Sequence, residues 1–346
     1  MMRTQGSFGL RRWLLLSLAL CVSAQVAAAQ KKETKQKDEA RGTPVLWRAP
    51  DDLPSRDLFW GPGGEASKPD LSNVTFLKDE SGSGYSTKYR VRDGAGRVWV
   101  AKVGKEAQSE TAAVRLVWAV GYVTEINYLA PCVRINGVKN APKSVERCAN
   151  DGFANVRFEA RPENIKRLDE WKWVGNPFSG TKELHGLAVL MALLNNWDIK
   201  DTNNKVLRVS DASGRDELQY VVSDLGATFG KVKLDVPGFW RLNRSRNAPA
   251  DYRDDPFVED VKNGRVLLFY KGKRQDLFDD VSVGDARWLA SLLVRLSDRQ
   301  ITDAFRAANY TPAEVRTLAT AVRERIDELA RATGAAPPRV TVGTRH

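Results

Sequence analysis

The sequence is poor in the residues that most often bind transition metals. Its 346 residues include three cysteines, three methionines and two histidines, His185 and His346. A histidine-rich metal site is therefore excluded, although aspartate and glutamate can still bind a hard cation through oxygen. No G-x-S-x-G or H-E-x-x-H motif occurs, which removes two common classes of hydrolase from consideration.

A Walker A phosphate-binding loop is also absent. Residues 175–182 read GNPFSGTK, but Thr181 precedes Lys182, the reverse of the order that lets the lysine reach the phosphates. The same residues suit the start of a helix, because a threonine before an apolar segment caps free backbone N–H groups. We predict a helix capped by Thr181 that runs to about Asn196.

Long hydrophobic runs occur only near the N-terminus. Arg11 and Arg12 precede WLLLSLALCVSA, and Ala27-Ala28-Ala29 follow. This pattern predicts a signal peptide over residues 1–29, and thus export to a periplasmic or extracellular compartment; an uncleaved anchor is the alternative. After cleavage no transmembrane segment is expected.

Cleavage after Ala29 would leave two cysteines, Cys132 and Cys148. In an oxidising compartment an even pair in one chain is a disulfide candidate. Two buried free thiols explain the same residues, and the sequence leaves both interpretations open.

The formal net charge of +11 is spread along the chain and mixed with acidic residues. The one local basic cluster is RLNRSR at residues 241–246, without the interleaved aromatic residues typical of nucleic-acid binding. We therefore expect no specific nucleic-acid partner and assign the charge to solubility or weak surface attraction.

The pattern along the chain predicts an α+β fold in two parts. The charged residues 30–45 should form a disordered linker. Short strand-like segments and one helix occupy residues 46–175, whereas residues 176–335 are mainly helical, with a hairpin near their start. Residues 336–346 form a tail.

A polar loop, NNWDIKDTNN, follows the apolar helix that ends near Asn196. Asp198 lies five residues before Asn203, and Lys200 lies between them. A hairpin and the segment LQYVVSDLG come next, with Asp224 near its end. Phosphoryl transfer requires a base and oxygen ligands for a metal ion. The two acidic residues and the amide of these segments are side chains of the required kind.

Upstream segments add two further parts. SGSGYSTKYRV contains Gly82 and Gly84 in a turn between strands, and VWVAKV carries Lys102 in a strand. The next helix contains Glu110 near its start. A glycine-rich turn can cover phosphates, and a lysine held by a glutamate can bind them.

In this order the segments resemble the atypical kinase-like group, which includes HipA-type, CotH-type and phosphatidylinositol-kinase relatives, and an uncharacterised family of exported bacterial proteins. The resemblance implies a two-lobed kinase-like fold with a strand-rich N-lobe and a mainly helical C-lobe. It also implies a phosphotransferase that uses Mg²⁺ and ATP or another nucleotide on an unknown acceptor. The roles it implies are catalytic for Asp198 and Lys200, nucleotide-binding for Lys102, Glu110, Gly82 and Gly84, and metal-binding for Asn203 and Asp224.

The sequence departs from ordinary protein kinases in ways that leave other interpretations open. Asn196 and Trp197 replace the usual His-Arg, and only eight residues separate Lys102 from Glu110. Asp201 is an alternative to Asp198 as the base. Because little ATP reaches a periplasm, a catalytically inert pseudokinase that binds a ligand or partner is the second hypothesis. An unrelated α+β interaction domain is the third.

Overall fold

The computed structural model describes residues 41–82, 86–139, 142, 145–210, 213–232 and 244–335. Within them, thirteen strands and six α-helices form an α+β fold whose first part is strand-rich and whose second part is mainly helical. The predicted signal peptide, most of the predicted linker and the tail from residue 336 lie outside the described residues.

Seven strands build the sheet of the first part, here called the N-lobe sheet. They are β2 (Val74–Asp79), β3 (Thr87–Arg92), β4 (Val98–Val103), β5 (Asn127–Val133), β6 (Ile135–Asn136), β7 (Arg147–Cys148) and β8 (Gly152–Ala160). Their spatial order is β5, β8, β4, β3, β2 and β6, with β7 also paired to β8. Only β2 and β6 run parallel; the other pairs are antiparallel.

The N-lobe sheet has its own hydrophobic core. Tyr89 and Val91 in β3 are buried, as are Trp99 and Ala101 in β4, because alternate side chains of a strand share one face. Cys132 and Cys148 form a disulfide with a Cα–Cα distance of 5.9 Å, which joins the end of β5 to β7. The structure therefore contains the disulfide and not two free thiols.

Helix α1 (Glu106–Ala119) follows β4 and is buried on nearly all sides. It packs against β5 and β8 on one side and against a helix of the second part on the other. A helix buried all round can carry small residues such as Ala112 and Ala113 where the packing is closest. The helix begins at Glu106, so Glu106 and Glu110 lie one turn apart on the same face.

A second sheet of four strands lies in the second part, in the order β1, β11, β10 and β9. The strands are β1 (Thr43–Val45), β9 (Lys166–Arg167), β10 (Lys205–Ser210) and β11 (Asp216–Val221). The predicted hairpin of β10 and β11 is confirmed. Two predicted boundaries differ: β1 falls in the predicted linker, and β9 in the predicted N-lobe, because both pair with this sheet.

The helices of the second part pack around one large core. Thr181 caps α2 (Lys182–Leu193) by accepting a hydrogen bond from the Leu184 backbone at 3.3 Å, as predicted. The mainly helical second part is confirmed, whereas α3 and the hairpin of β12 and β13 are elements that the sequence did not indicate. These elements are α3 (Pro249–Asp254), α4 (Val283–Leu293), α5 (Asp298–Ala307), α6 (Pro312–Thr333), β12 (Val258–Lys262) and β13 (Arg265–Leu268).

Among the described residues, no helix combines the length and the hydrophobicity needed to cross a membrane.

Candidate active site

Three carboxylates meet at the amine of Lys102, which lies in β4 and is 1% exposed. Lys102 Nζ donates to Glu110 Oε2 at 2.8 Å and to Asp224 Oδ1 at 3.0 Å, and it lies 2.9 Å from Glu106 Oε2. An ammonium group has three N–H donors, so each of them has one carboxylate to bind. The Lys102–Glu110 pair therefore forms despite the short separation along the chain.

Glu106 has partners besides Lys102. Its Oε2 accepts a hydrogen bond from Ser86 Oγ at 2.5 Å, and its other oxygen pairs with Arg246. Burial alone would raise the pKa of Glu106, but Lys102, the hydrogen bond from Ser86 and Arg246 together outweigh this effect and lower it. Glu106 keeps Ser86 and Arg246 as partners when Lys102 turns to another anion.

Glu110 is fixed from a second side by Arg157 of β8. Arg157 Nη1 lies 3.1 Å from Glu110 Oε1, and Arg157 Nη2 donates to Glu159 Oε2 at 2.7 Å. All three side chains are buried, and breaking such a pair would leave an uncompensated charge in the interior. Glu110 therefore has a charged partner on each side, Lys102 and Arg157.

The charges of the cluster stabilise one another. Burial would lower the pKa of Lys102, but the charges of Glu110, Asp224 and Glu106 outweigh burial and raise it above its ordinary value. Burial would likewise raise the pKa of Asp224, yet Lys102, followed by Lys88, holds that pKa well below its usual range. Lys102 and Asp224 are therefore both ionised at neutral pH.

The segment that carries Asp224 is docked against α1. Asp224 has a φ of 52°, and Ser109 Oγ in α1 donates to the carbonyl of Gly226 at 2.8 Å. A Cβ atom at Gly226 would lie 2.7 Å from Cβ of Glu106, too close for any larger residue without movement. Glycine at this position lets the carboxylates of Glu106 and Asp224 approach the same lysine.

Asp198 lies in the loop between α2 and β10 and binds two lysines. Lys273 Nζ donates to its Oδ1 at 2.6 Å, and Lys200 Nζ lies 2.6 Å from its Oδ2. Burial lowers the pKa of Lys200, but Asp198 and also the charge of Asp224 raise it overall. The loop is hydrogen-bonded to the segment that carries Asp224, because the Trp197 backbone N–H donates to the carbonyl of Ala227 at 3.3 Å. The Lys102 cluster and this loop are together called the cleft.

Asn203 and Asp201 have different places in this loop. Asn203 Nδ2 donates to the backbone carbonyl of Asp198 at 2.9 Å, which leaves the amide oxygen as the group for a cation. Asp201 Oδ1 instead accepts from the backbone N–H of Trp173 at 2.9 Å and from Arg274 at 3.0 Å. Asp201 thus fixes the loop, and Asp198 is the carboxylate paired with the two lysines.

Of the two predicted glycines, one can be placed. Gly82 lies in the turn after β2 with a φ of 51°, and a Cβ there would meet nothing within 4 Å. Gly84 lies outside the described residues. Beyond it, Lys88 in β3 is opposite Lys102 in β4, so the strand that follows the glycine turn runs beside the cluster.

Four charged residues of the cleft were not identified from the sequence: Glu106, Arg157, Arg246 and Lys273. The spacing of Glu106 and Glu110 by four residues was a usable signal, since it puts both carboxylates on one helix face. Composition alone assigns the basic cluster at 241–246 to solubility, but its last residue, Arg246, pairs with Glu106. Arg157 and Lys273 reach the site only through sheet pairing and loop packing, which leave no local signal.

The residues present fit a magnesium ion bound together with a nucleotide. Among the described residues, no group of three or more histidine, cysteine, aspartate or glutamate side chains is arranged to hold a metal by itself. Mg²⁺ usually takes one or two protein oxygens and completes its shell with phosphate and water. Asp224 Oδ2 and Asn203 Oδ1 are oxygens of the required kind.

Solved kinase structures are similar to this chain. The Helicobacter pylori proinflammatory kinase CtkA matches with a TM-score of 0.46 and 13% identity, over 78% of this chain and 99% of that one. A Golgi casein kinase matches with a TM-score of 0.36 and 10% identity, over 78% of this chain and 76% of that one. The Rio2 kinase of Chaetomium thermophilum, in complex with ADP, Mg²⁺ and phosphoaspartate, has a TM-score of 0.29 and 14% identity, over 76% and 74% of the two chains.

These similarities concern the kinase-like architecture, and none of them assigns an activity or a substrate to this chain. No protein-family model and no curated protein sequence matches it.

Proposed function

We propose that this chain is an exported kinase-like phosphotransferase that moves a phosphoryl group from ATP, or another nucleotide, to an acceptor hydroxyl. The observation that carries the proposal is the meeting of Lys102, Glu110 and Asp224. The loop with Asp198 and Lys200 lies next to this cluster, because the Trp197 backbone N–H donates to the carbonyl of Ala227 at 3.3 Å. A lysine–glutamate pair, a metal-binding aspartate and a base near the acceptor are the parts that phosphoryl transfer requires.

Lys102 would bind the nucleotide phosphates by exchanging one carboxylate for a phosphate oxygen. Glu106 suits this exchange, because Ser86 and Arg246 continue to hold it after Lys102 leaves. Glu110 would stay in place between Lys102 and Arg157 and keep the amine directed into the cleft.

Asp224 and Asn203 would hold Mg²⁺, which, when bound, neutralises charge on the phosphate oxygens. In the transfer, the acceptor oxygen bonds to the terminal phosphorus while the bond from that phosphorus to the leaving nucleoside diphosphate breaks. Asp198 takes the hydroxyl proton. Lys200, between Asp198 and the Asp224 side, would face the phosphoryl group in transit.

A catalytically inert nucleotide-binding protein is the second candidate, and one observation favours it. Both oxygens of Asp198 are ion-paired, to Lys200 and to Lys273. Each lysine occupies one of the oxygens that a base would offer to the acceptor hydroxyl. An inert protein would bind nucleotide without ever releasing Asp198.

Export is part of the proposal. The pattern of residues 1–29 is that of a signal peptide, and the Cys132–Cys148 disulfide is of a kind that persists in oxidising compartments.

Thermal unfolding of the purified mature chain, with ATP and with or without Mg²⁺, tests the function. Nucleotide at 100 times its Kd should add about 2.7 kcal/mol to the free energy of unfolding. Asp224→Ala should lose the magnesium-dependent stabilisation, because it removes a metal ligand. Asp198→Ala should keep the stabilisation and lose transfer of labelled phosphate to serine-, threonine- and tyrosine-containing peptides.

Asp260→Ala is the matched control, since Asp260 is an exposed aspartate of β12. It should behave as the wild type. Stabilisation without transfer by the wild type would favour the inert candidate, and no stabilisation by any nucleotide would exclude both.

A further inference from the structure

A loop from the C-lobe, residues 270–274 (here called the lysine loop), is fixed directly on the loop that carries Asp198. The Lys273 backbone N–H donates to the carbonyl of Trp197 at 2.9 Å, and the Tyr270 hydroxyl donates to the carbonyl of Asn196 at 2.7 Å. A Cβ at Gly272 would lie 2.8 Å from Cα of Trp197, so the two backbones are in contact. These contacts therefore fix the backbone position of Lys273.

Both ends of the lysine loop have further anchors. Arg274 Nη1 donates to Asp201 Oδ1 at 3.0 Å, and Arg244 Nη2 donates to the carbonyl of Lys271 at 2.8 Å. In both bonds an arginine side chain anchors one end of the lysine loop. The Lys273 side chain takes no part in this anchoring and binds Asp198. An exposed lysine in an unanchored loop would lose more conformational entropy on binding an anion.

The two lysines on Asp198 take different oxygens, Lys200 on Oδ2 and Lys273 on Oδ1. Lys200 is the one next to a proposed metal ligand, because the Asn203 backbone N–H donates to its carbonyl at 3.3 Å. Lys273 binds the other oxygen of the same carboxylate. We place Lys273 on the acceptor side of Asp198 on this ground.

Several basic residues surround Lys273, and the acidic residues Asp201 and Asp276 there are both paired with Arg274. The guanidinium carbons of Arg244 and Arg246 lie 5.9 Å and 4.6 Å from the ring centroid of Trp197, next to Asp198 in the chain. Lys271 lies within the same lysine loop. A surface with this charge attracts an anionic partner and repels a basic one.

We infer that the acceptor is an acidic polypeptide segment, and that Lys273 binds an anionic side chain next to the acceptor hydroxyl. The inference rests on the proposed function and names its substrate class. A polypeptide fits better than a small metabolite because the Lys273 side chain is 46% exposed on a surface loop, where an extended chain can reach it. When the acceptor's anion takes Lys273, Asp198 Oδ1 is released to accept the hydroxyl proton.

Peptide binding in the presence of ADP and Mg²⁺ tests this inference. Four fluorescent peptides share a central serine and differ in the residues beside it, which are glutamate, phosphoserine, alanine or lysine. The full mature chain should bind the glutamate or the phosphoserine peptide most tightly and the lysine peptide most weakly. Comparison of the first two tells whether a carboxylate or a phosphate is the preferred anion. Equal affinities for all four peptides would overturn the inference.

Lys273→Met should weaken binding of the preferred acidic peptide about fivefold, the upper range for an exposed ion pair, and leave the nucleotide Kd unchanged. Lys273→Arg should restore most of the binding, because the positive charge returns. Lys262→Met, at an exposed lysine of β12, is the matched control and should bind peptide as the wild type does.

Unchanged peptide affinity in Lys273→Met would contradict the role of Lys273. The nucleotide Kd of the wild type separates the two proposals. If the wild type binds nucleotide but does not prefer acidic peptides, only the acceptor inference is contradicted. If it binds no nucleotide, the proposed function and the inference are both contradicted.

Discussion

At the scale of single residues, Asp224 makes the stability of the cleft dependent on pH. Its pKa in the folded protein is lowered well below the ordinary value by Lys102 and Lys88, despite its burial. A carboxyl whose pKa is lower in the folded state adds stability above its unfolded pKa, near 3.9, and loses this contribution as the pH falls towards the folded value. The contribution is therefore complete and constant in the neutral range, and it changes with pH only in acid.

Asp224→Asn should remove this contribution. We expect the difference in free energy of unfolding between wild type and variant to be constant from about pH 5 to pH 7 and to shrink steadily below about pH 4. Urea unfolding of both proteins at closely spaced pH values measures the difference. A difference that grows as the pH falls would show that the pKa of Asp224 is raised, contrary to this expectation.

The residues that the sequence identified are those with a local signal. Lys102 lies in a short apolar strand, Asp224 after a hairpin, and Asp198 and Asn203 in a polar loop after a buried helix. Arg157 and Lys273 have no such signal, because each reaches the cleft from a distant part of the chain. Spacing along the chain could not predict that Lys273 would bind the same carboxylate as Lys200.

At the scale of secondary structure elements, the contact between α1 and the segment after β11 sets the geometry of the cleft. Gly226→Ala would put a Cβ 2.7 Å from Cβ of Glu106, so the helix or the segment must move. We expect a loss of about 1–3 kcal/mol in the free energy of unfolding, the usual cost of overpacking. Nucleotide affinity should fall as well, because Asp224 lies two residues away.

Gly284→Ala is the control for this variant. Gly284 lies in the first turn of α4, where a Cβ would be 3.4 Å from Ser282 Oγ, so alanine fits and favours the helix. Chemical denaturation and nucleotide titration of the two variants provide the comparison. Equal stability of Gly226→Ala and the wild type would mean that the Glu106 contact is not tight.

Elements were predictable where their own residues determine them. The Thr181 cap and the apolar residues of α2 predict its start, and the capping boxes at Ser297 and Thr311 begin α5 and α6. The three residues of β1 and the two of β9 are too short to show an alternating pattern. They are strands because β11 and β10 offer them backbone partners, which is a property of the assembled sheet.

At the scale of the whole molecule, the disulfide and the proposed export make one joint prediction. Protein recovered from its native host and kept unreduced should have an intact mass that begins at Gln30 and includes the Cys132–Cys148 bridge. Both follow from the signal-peptide pattern and an oxidising compartment. Alkylation of denatured, unreduced protein should then find no free thiol. A full-length chain with free thiols at Cys132 and Cys148 would contradict export.

The four-stranded sheet holds both ends of the strand-rich lobe. The chain leaves this sheet after β1, builds the N-lobe sheet and returns at β9, while the carbonyl of Val123 accepts a hydrogen bond from Val222 between these two points. Each crossing between the lobes is therefore anchored at this sheet. A protease cut between the N-lobe sheet and β9 would divide the chain into two fragments, but the N-lobe fragment would stay docked through the backbone pairing of β1 with β11 and the hydrogen bond between Val222 and Val123. For a protein proposed to work outside the cell, among proteases, this connectivity makes one cut insufficient to take the cleft apart.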